Sequence, residues 1–182
     1  MHRADEPATA VQICPAPSVP AKEAASVVPS RVESDWHRKM AAKLFNATWD
    51  LIGKKHRTKE EVDAMIHMAH ASRYHWGVVG GPKEFAIGEW QISRVYAVLD
   101  RPEPSLFHAQ RSLEICEARH VNGFPLAYAY EALARAFAIA GKARLRDACM
   151  KLAKTAGEKI EEAEDRTQFF KDLRTVPRAK HR

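Results

Sequence analysis

The stretch EWQISRVYAVLD, residues 89–100, recurs 41 positions later as YEALARAFAIAG, residues 130–141. Each copy places a large apolar residue, a small residue, an arginine and an aromatic residue at the same helical spacing. The matched pairs are Ile92 with Leu133, Ser93 with Ala134, Arg94 with Arg135, Tyr96 with Phe137, and Asp100 with Gly141. A weaker copy, FNATWDLIG, occupies residues 45–53. A repeat near this period is typical of stacked helical hairpins, because each hairpin buries its apolar face only against its neighbours.

The rest of the chain fits the same pattern. Thr58 with Glu61 forms a capping-box pattern, and Asn122 with Gly123 marks a turn. No segment has the pattern of a strand. The predicted helices occupy about residues 34–54, 59–78, 83–99, 103–119, 124–140 and 143–168. Because short breaks place consecutive helices antiparallel, the sequence predicts an all-α fold of three stacked antiparallel helical hairpins.

The order of residues within the copies resembles the tetratricopeptide repeat family. That family's pattern is a large residue, a small one, an aromatic, a turn glycine, then a small residue and a leucine. The clearest copy has Ile92, Ser93, Tyr96, Asp100, Ser105, Leu106, Ala109 and Leu113 in that order. The resemblance covers about residues 38–156 and implies a right-handed superhelix. The repeat is longer than the family's usual 34 or so residues, and Ser93 and Ala134 stand where the family has a small glycine.

In that family the first helix of each pair lines a concave groove. Arg94 and Arg135 hold equivalent positions, so their guanidinium groups would present neighbouring forks to the carboxylates of a partner. The alternative is that each arginine pairs with a nearby acid, such as Glu89 or Glu131. The partner-binding residues that the resemblance implies are Lys43, Trp90, Arg94, Tyr128, Glu131 and Arg135.

The resemblance therefore implies a noncatalytic interaction or scaffold protein that holds a partner segment or an anionic ligand in its groove. The expected partner is a protein or peptide, and the arginines would suit an acidic one. No cofactor is expected, because no catalytic motif or phosphate-binding glycine loop is present. With only three hairpins, an exposed apolar end would be covered by the long final helix or by a homodimer.

A second hypothesis comes from the segment MIHMAHASRYHWG, residues 65–77. His67 and His70 are three residues apart, so both project from one side of a helix and together could bind a metal ion. His75 points elsewhere, and no glutamate stands between the two histidines as in H-E-x-x-H. The segment thus leaves two interpretations open: a metal-dependent helical-bundle enzyme, or histidines that form hydrogen bonds between helices.

Arg73 falls near the middle of the apolar stripe of the same helix. A buried guanidinium requires a partner. The predicted partner is a carboxylate, Asp50 or Glu89, or else the ring of Trp76 or Trp90 on which the guanidinium would stack.

Composition and charge set the remaining expectations. The chain has 182 residues, 46% of them hydrophobic, which suits one soluble domain. Residues 1–33, rich in proline and alanine, predict a disordered extension; residues 34–168 form the predicted helical domain and residues 169–182 a basic tail. The net charge is +6, and residues 171–182 contribute five basic and one acidic residue, or +4. A short basic end is usually solvated, so nucleic acid is not an expected partner.

Cellular context is also constrained by the sequence. No run approaches the roughly 18 apolar residues of a membrane span, and no apolar signal segment is apparent, so a cytoplasmic protein is expected. Cys14, Cys116 and Cys149 lack paired spacing, which disfavours disulfides and zinc. Cys116 and Cys149 fall in apolar helical stripes and are predicted to pack as small apolar residues.

Overall fold

Seven helices make up the part of the chain that the computed structural model describes, residues 29–179. No strand occurs among those residues, so the prediction of an all-α fold is confirmed for them. The helices are α1 (Arg31–Ile52), α2 (Lys59–Val79), α3 (Pro82–Val98), α4 (Pro102–Ala118), α5 (Phe124–Ile139), α6 (Ala143–Gly157) and α7 (Ala163–Leu173). None of them is both long and apolar enough to cross a membrane.

Helix α1 begins earlier than the sequence predicted. Ser30 caps it, since the Ser30 hydroxyl accepts from the Glu33 backbone N–H at 3.3 Å and the Glu33 carboxylate accepts from the Ser30 N–H at 2.8 Å. This capping box satisfies N–H groups that the first turn leaves unpaired. The structure thus begins α1 at Arg31, whereas the sequence analysis placed the start of this helix at about residue 34. Residues 1–28 of the predicted extension lie outside the described residues.

Consecutive helices pair as antiparallel hairpins, and serine hydroxyls fix the register. In the first hairpin the Ser72 hydroxyl donates to the Ala41 carbonyl at 2.8 Å. In the second the Ser112 hydroxyl donates to the Ala86 carbonyl at 2.9 Å, while Ser93 donates to the Ser105 carbonyl at 2.8 Å. As the residue number rises on one helix it falls on the other, which defines antiparallel packing. These serines are buried, so each bond also satisfies a buried hydroxyl.

The first helices of successive hairpins lie side by side. Helix α3 contacts both α1 and α5, and α5 also contacts α7. Helix α5 is buried along most of its length, including six alanines that allow close approach by its neighbours. A helix that is apolar nearly all round belongs in the interior. The face built from α1, α3, α5 and α7, called here the first-helix face, is therefore organised around α5.

The C-terminal region differs from the prediction of one helix through residue 168 followed by a basic tail. Helix α6 ends at Gly157, and the chain turns through the buried Ile160 before α7 begins. Phe169 is fully buried, and Leu173 and Val176 are also buried. A Cβ atom at position 157 would lie 2.2 Å from Cε1 of Phe169, so the helices approach this closely only because residue 157 is glycine. The folded region thus extends through Val176.

We predict that Gly157→Ala destabilises the fold by about 1–3 kcal/mol, because the new methyl group overlaps the rigid Phe169 ring. Gly77→Ala is the matched control: its Cβ would meet Arg73 Nη1 at an ordinary 3.5 Å. That change should leave the free energy of unfolding unchanged or raise it by up to about 1 kcal/mol. Urea unfolding of both variants checks the prediction, and equal effects would contradict the packing of α7 against α6.

Candidate functional site

Glu131 on α5 is completely buried and lies between two guanidinium groups. Its Oε1 atom accepts from Arg94 Nη1 at 3.0 Å and from Arg135 Nε at 2.8 Å, and Arg135 Nη2 donates to the same oxygen. Of the two interpretations of the matched arginines, pairing with Glu131 is therefore what the structure contains. Arg94 lies on α3, so these bonds join the first helices of two hairpins.

The network continues from α5 into α7. Arg135 Nη2 donates to the Thr175 hydroxyl at 2.8 Å, and its Nη1 donates to the Thr175 carbonyl at 3.2 Å. The Tyr128 hydroxyl donates to Asp172 Oδ2 at 2.7 Å. Burial, then this bond to Asp172, raises the pKa of Tyr128, so the phenol keeps its proton. Two guanidinium groups and two carboxylates meet here, and their formal charges cancel.

Three polar atoms of this region are buried without a hydrogen-bond partner among residues 29–179: Trp90 Nε1, Arg94 Nε and Glu131 Oε2. Trp90 and Arg94 are one turn apart on α3 and so share a side of that helix. Arg94 contacts Glu131, which places all three residues in one cluster. Burial lowers the pKa of the Arg94 guanidinium, because its charge is largely removed from water.

Aromatic rings from successive first helices form a continuous row beside these atoms. The ring centroids of Trp49 on α1 and Trp90 on α3 are 5.2 Å apart, and those of Trp90 and Tyr128 are 4.4 Å apart. Tyr128 in turn contacts Phe169 of α7 edge-on at 5.0 Å. The row includes rings from α1, α3, α5 and α7, so it runs along the whole first-helix face.

The structure brings five of the six predicted groove residues together and buries most of them. Trp90, Tyr128, Glu131 and Arg135 are buried, while 15% of the Arg94 side chain is exposed. We call these five residues the groove floor. Lys43 is exposed on α1 and makes no hydrogen bond or ion pair with any described residue. Tyr128 and Arg135 are hydrogen-bonded to Asp172 of α7 and to Thr175 just after it.

The sequence did not predict the roles of Asp172 on α7 and Thr175 just after it, which complete the polar network. The signal was present in the spacing of Phe169, Leu173 and Val176, which follow an i, i+4, i+7 apolar pattern. The same segment, residues 169–182, carries five basic residues, so its pattern of charge is more conspicuous than its apolar periodicity.

The predicted histidines separate into different environments. His70 Nε2 shares a hydrogen bond with the Tyr96 hydroxyl at 3.2 Å, which fits the interpretation of histidines bonded between helices. His67 is exposed. His75 Nδ1 lies 2.8 Å from His37 Nδ1 on α1. Among the described residues, no three or more His, Cys, Asp or Glu side chains are grouped so that they could hold a metal ion.

Arg73 pairs with Glu89, one of its predicted partners. Its Nε donates to Glu89 Oε1 at 3.1 Å, and its guanidinium carbon lies 4.7 Å from the centroid of the Phe85 ring. The stacking ring is therefore Phe85 and not Trp76 or Trp90. A Cβ at position 88 would lie 2.6 Å from Arg73 Cδ, so Gly88 makes room for the arginine stem.

Comparison of the chain with protein-family models, with curated proteins and with solved structures found no match.

We predict that Glu131→Gln lowers the free energy of unfolding by about 3–5 kcal/mol, because the neutral amide leaves two buried guanidinium groups uncompensated. Glu114→Gln is the control, since Glu114 pairs with Arg111 at 2.8 Å but 59% of its side chain is exposed. Loss of that surface pair should cost less than about 1 kcal/mol. Urea unfolding measures both, and a small effect at Glu131 would contradict the proposed role of the buried network.

A second prediction concerns pH. Partial loss of solvation first, and a neighbouring imidazole second, lower the pKa of both His70, beside His108, and His75, beside His37. Below about pH 6.5 the unfolded chain therefore binds protons that the folded chain does not, so the free energy of unfolding falls as the pH drops from about 7 to 5.

Urea unfolding across this range checks the pH prediction. His70→Gln and His75→Gln should each flatten the dependence, whereas His56→Gln, at an exposed position, should leave it unchanged. A pH dependence that persists in the double variant His70→Gln, His75→Gln would contradict this assignment.

Proposed function

We propose that the protein is a noncatalytic, tetratricopeptide-like interaction protein whose stacked hairpins form a right-handed superhelix. Its partner is a protein or peptide segment that binds along the first-helix face. The side-by-side packing of α1, α3, α5 and α7 supports this proposal, since it leaves one continuous face with an aromatic row along it.

The observation that carries the proposal is the set of unpaired atoms on the groove floor. A buried polar group without a partner costs roughly 1–3 kcal/mol, and native proteins keep few of them. Here Trp90 Nε1 and Arg94 Nε are unpaired donors, and Glu131 Oε2 is an unpaired acceptor in the same cluster. A partner that pairs these atoms recovers that cost on binding, which is a source of affinity.

The pattern of donors and acceptors specifies the partner group. It must accept from Trp90 and Arg94 and also donate to Glu131, and a carboxylate lacks the proton for the last bond. An amide, from an Asn or Gln side chain or from extended backbone, has both a carbonyl oxygen and N–H groups. We therefore assign an amide to the floor. An acidic group of the same partner would meet Lys43, which is exposed on α1.

We expect access to the floor to involve Trp49 of α1, which is half-buried and whose ring centroid lies 5.2 Å from that of Trp90. A rotation of Trp49 would expose the floor while α5 and α7 keep their contacts. Arg135 then retains its structural bonds to α7, and Arg94 is the arginine that meets the partner.

The proposal predicts how a peptide that binds the wild-type chain, selected from a displayed peptide library, responds to substitution. Trp90→Phe removes the indole N–H and keeps a ring, so the affinity should fall about five-fold, as for one neutral hydrogen bond. Trp76→Phe is the matched control and should leave the affinity unchanged. Isothermal titration calorimetry measures the affinity of the peptide for both variants. If Trp90→Phe, Arg94→Lys and Lys43→Glu all leave this affinity unchanged, the groove is not the binding surface.

The hypothesis of a metal-dependent enzyme using His67 and His70 gains no support from the geometry, because the described residues supply no third ligand to these histidines. It is not proposed here as a second function.

A further inference from the structure

A four-residue pattern, H-A-x-R, occurs twice on the second helices of neighbouring hairpins. It reads HASR at residues 70–73 on α2 and HAQR at residues 108–111 on α4, an offset of 38. Both helices run antiparallel to α3, as shown by the contacts of Arg73 with Glu89 and of Ser93 with Ser105. Helices α2 and α4 are therefore parallel to each other, and the two patterns lie side by side.

Helices α2 and α4 each pack on α3, but their backbones do not approach each other closely. They therefore meet only through side chains. The ring centroids of His70 and His108 are 5.3 Å apart across this gap. Tyr96 of α3 lies beneath them, stacked on His108 at 5.8 Å with an interplanar angle of 12°. The histidines of the two patterns thus face each other, and each arginine follows one turn later.

Glu89 of α3 forms the base of this arrangement. It accepts from His108 Nδ1 at 2.7 Å and from Arg73 Nε at 3.1 Å, and it is largely buried. Burial alone would raise the pKa of Glu89, but the hydrogen bond from His108 and the charges of Arg73 and Arg111 hold it below its usual value. An ionised Glu89 only accepts hydrogen bonds, so His108 donates from Nδ1 and its Nε2 stays available.

Several donors of the two patterns remain unused within the described residues. Glu89 engages only Nε of Arg73, which leaves both Nη groups without an acceptor there, and the Phe85 ring holds the plane of this guanidinium. Arg111 pairs with Glu114, but 49% of the arginine side chain is exposed. Such a surface pair contributes little stability, so Arg111 is free to turn to a ligand.

We propose that the two H-A-x-R patterns form a binding site for a phosphate group, on the side of the domain opposite the first-helix face. Planar guanidinium forks match the oxygens of oxyanions, and a phosphate offers enough acceptors for two arginines and two imidazoles together. A nearby dianion also favours the protonated form of each imidazole, which makes His70 and His108 donors. The site is independent of the groove proposed above.

The experiment titrates the full chain with inorganic phosphate and, separately, with O-phosphoserine at constant ionic strength. The imidazole carbon-bound proton resonances are followed by NMR. We expect saturable shifts confined to His70 and His108, with His56 and His120 unaffected. Tighter binding of O-phosphoserine assigns the site to phosphate esters such as phosphorylated side chains, whereas equal affinities assign it to the free ion.

The matched variants are Arg111→Gln and Arg119→Gln, both at exposed positions of α4 or its C-terminal end. Arg111→Gln should weaken phosphate binding at least ten-fold, and Arg119→Gln should leave it unchanged. Arg73 is avoided because its pairing with Glu89 contributes to folding. The proposal is overturned if no saturable shift occurs, if all histidines respond alike, or if the two variants bind phosphate equally.

Discussion

The burial of Glu131 is the constraint on which the arrangement of the first helices depends. A carboxylate with no exposed surface is tolerated only when opposite charges and hydrogen bonds replace the water that it loses. Arg94 on α3 donates one hydrogen bond to this carboxylate, and Arg135 on α5 also donates to it. Arg135 is bonded in addition to Thr175, which follows α7. The same few atoms therefore set how three helices lie against one another.

Buried charge networks contribute less to net stability than to specificity, since apolar residues of similar size often stabilise as well. In this chain the network joins helices across an interface in which α5 presents six buried alanines, whose short side chains do little to fix one position along the helix. It also leaves Glu131 Oε2 and two nearby N–H groups unpaired. In the function proposed above, these unpaired atoms of the same network are the ones that a partner would bind.

The sequence predicted those parts of the structure that local patterns determine. The all-α fold follows from helical periodicity. The pairings of Arg73 with Glu89 and of the matched arginines with Glu131 were each one of several alternatives that the sequence left open, and the structure decides between them. It did not predict α7, because the contact of Tyr128 with Asp172 joins residues 44 apart and depends on the close approach at Gly157. The burial of the groove floor was missed for the same reason.

The most direct test of this account is a high-resolution crystal structure of the chain with and without a bound peptide. The account predicts that Trp90 Nε1 and Glu131 Oε2 lack protein partners in the free chain and lie within about 3.2 Å of a peptide amide in the complex. If protein side chains already satisfy both atoms in the free chain, or if the peptide binds away from α1 and α3, the account is contradicted.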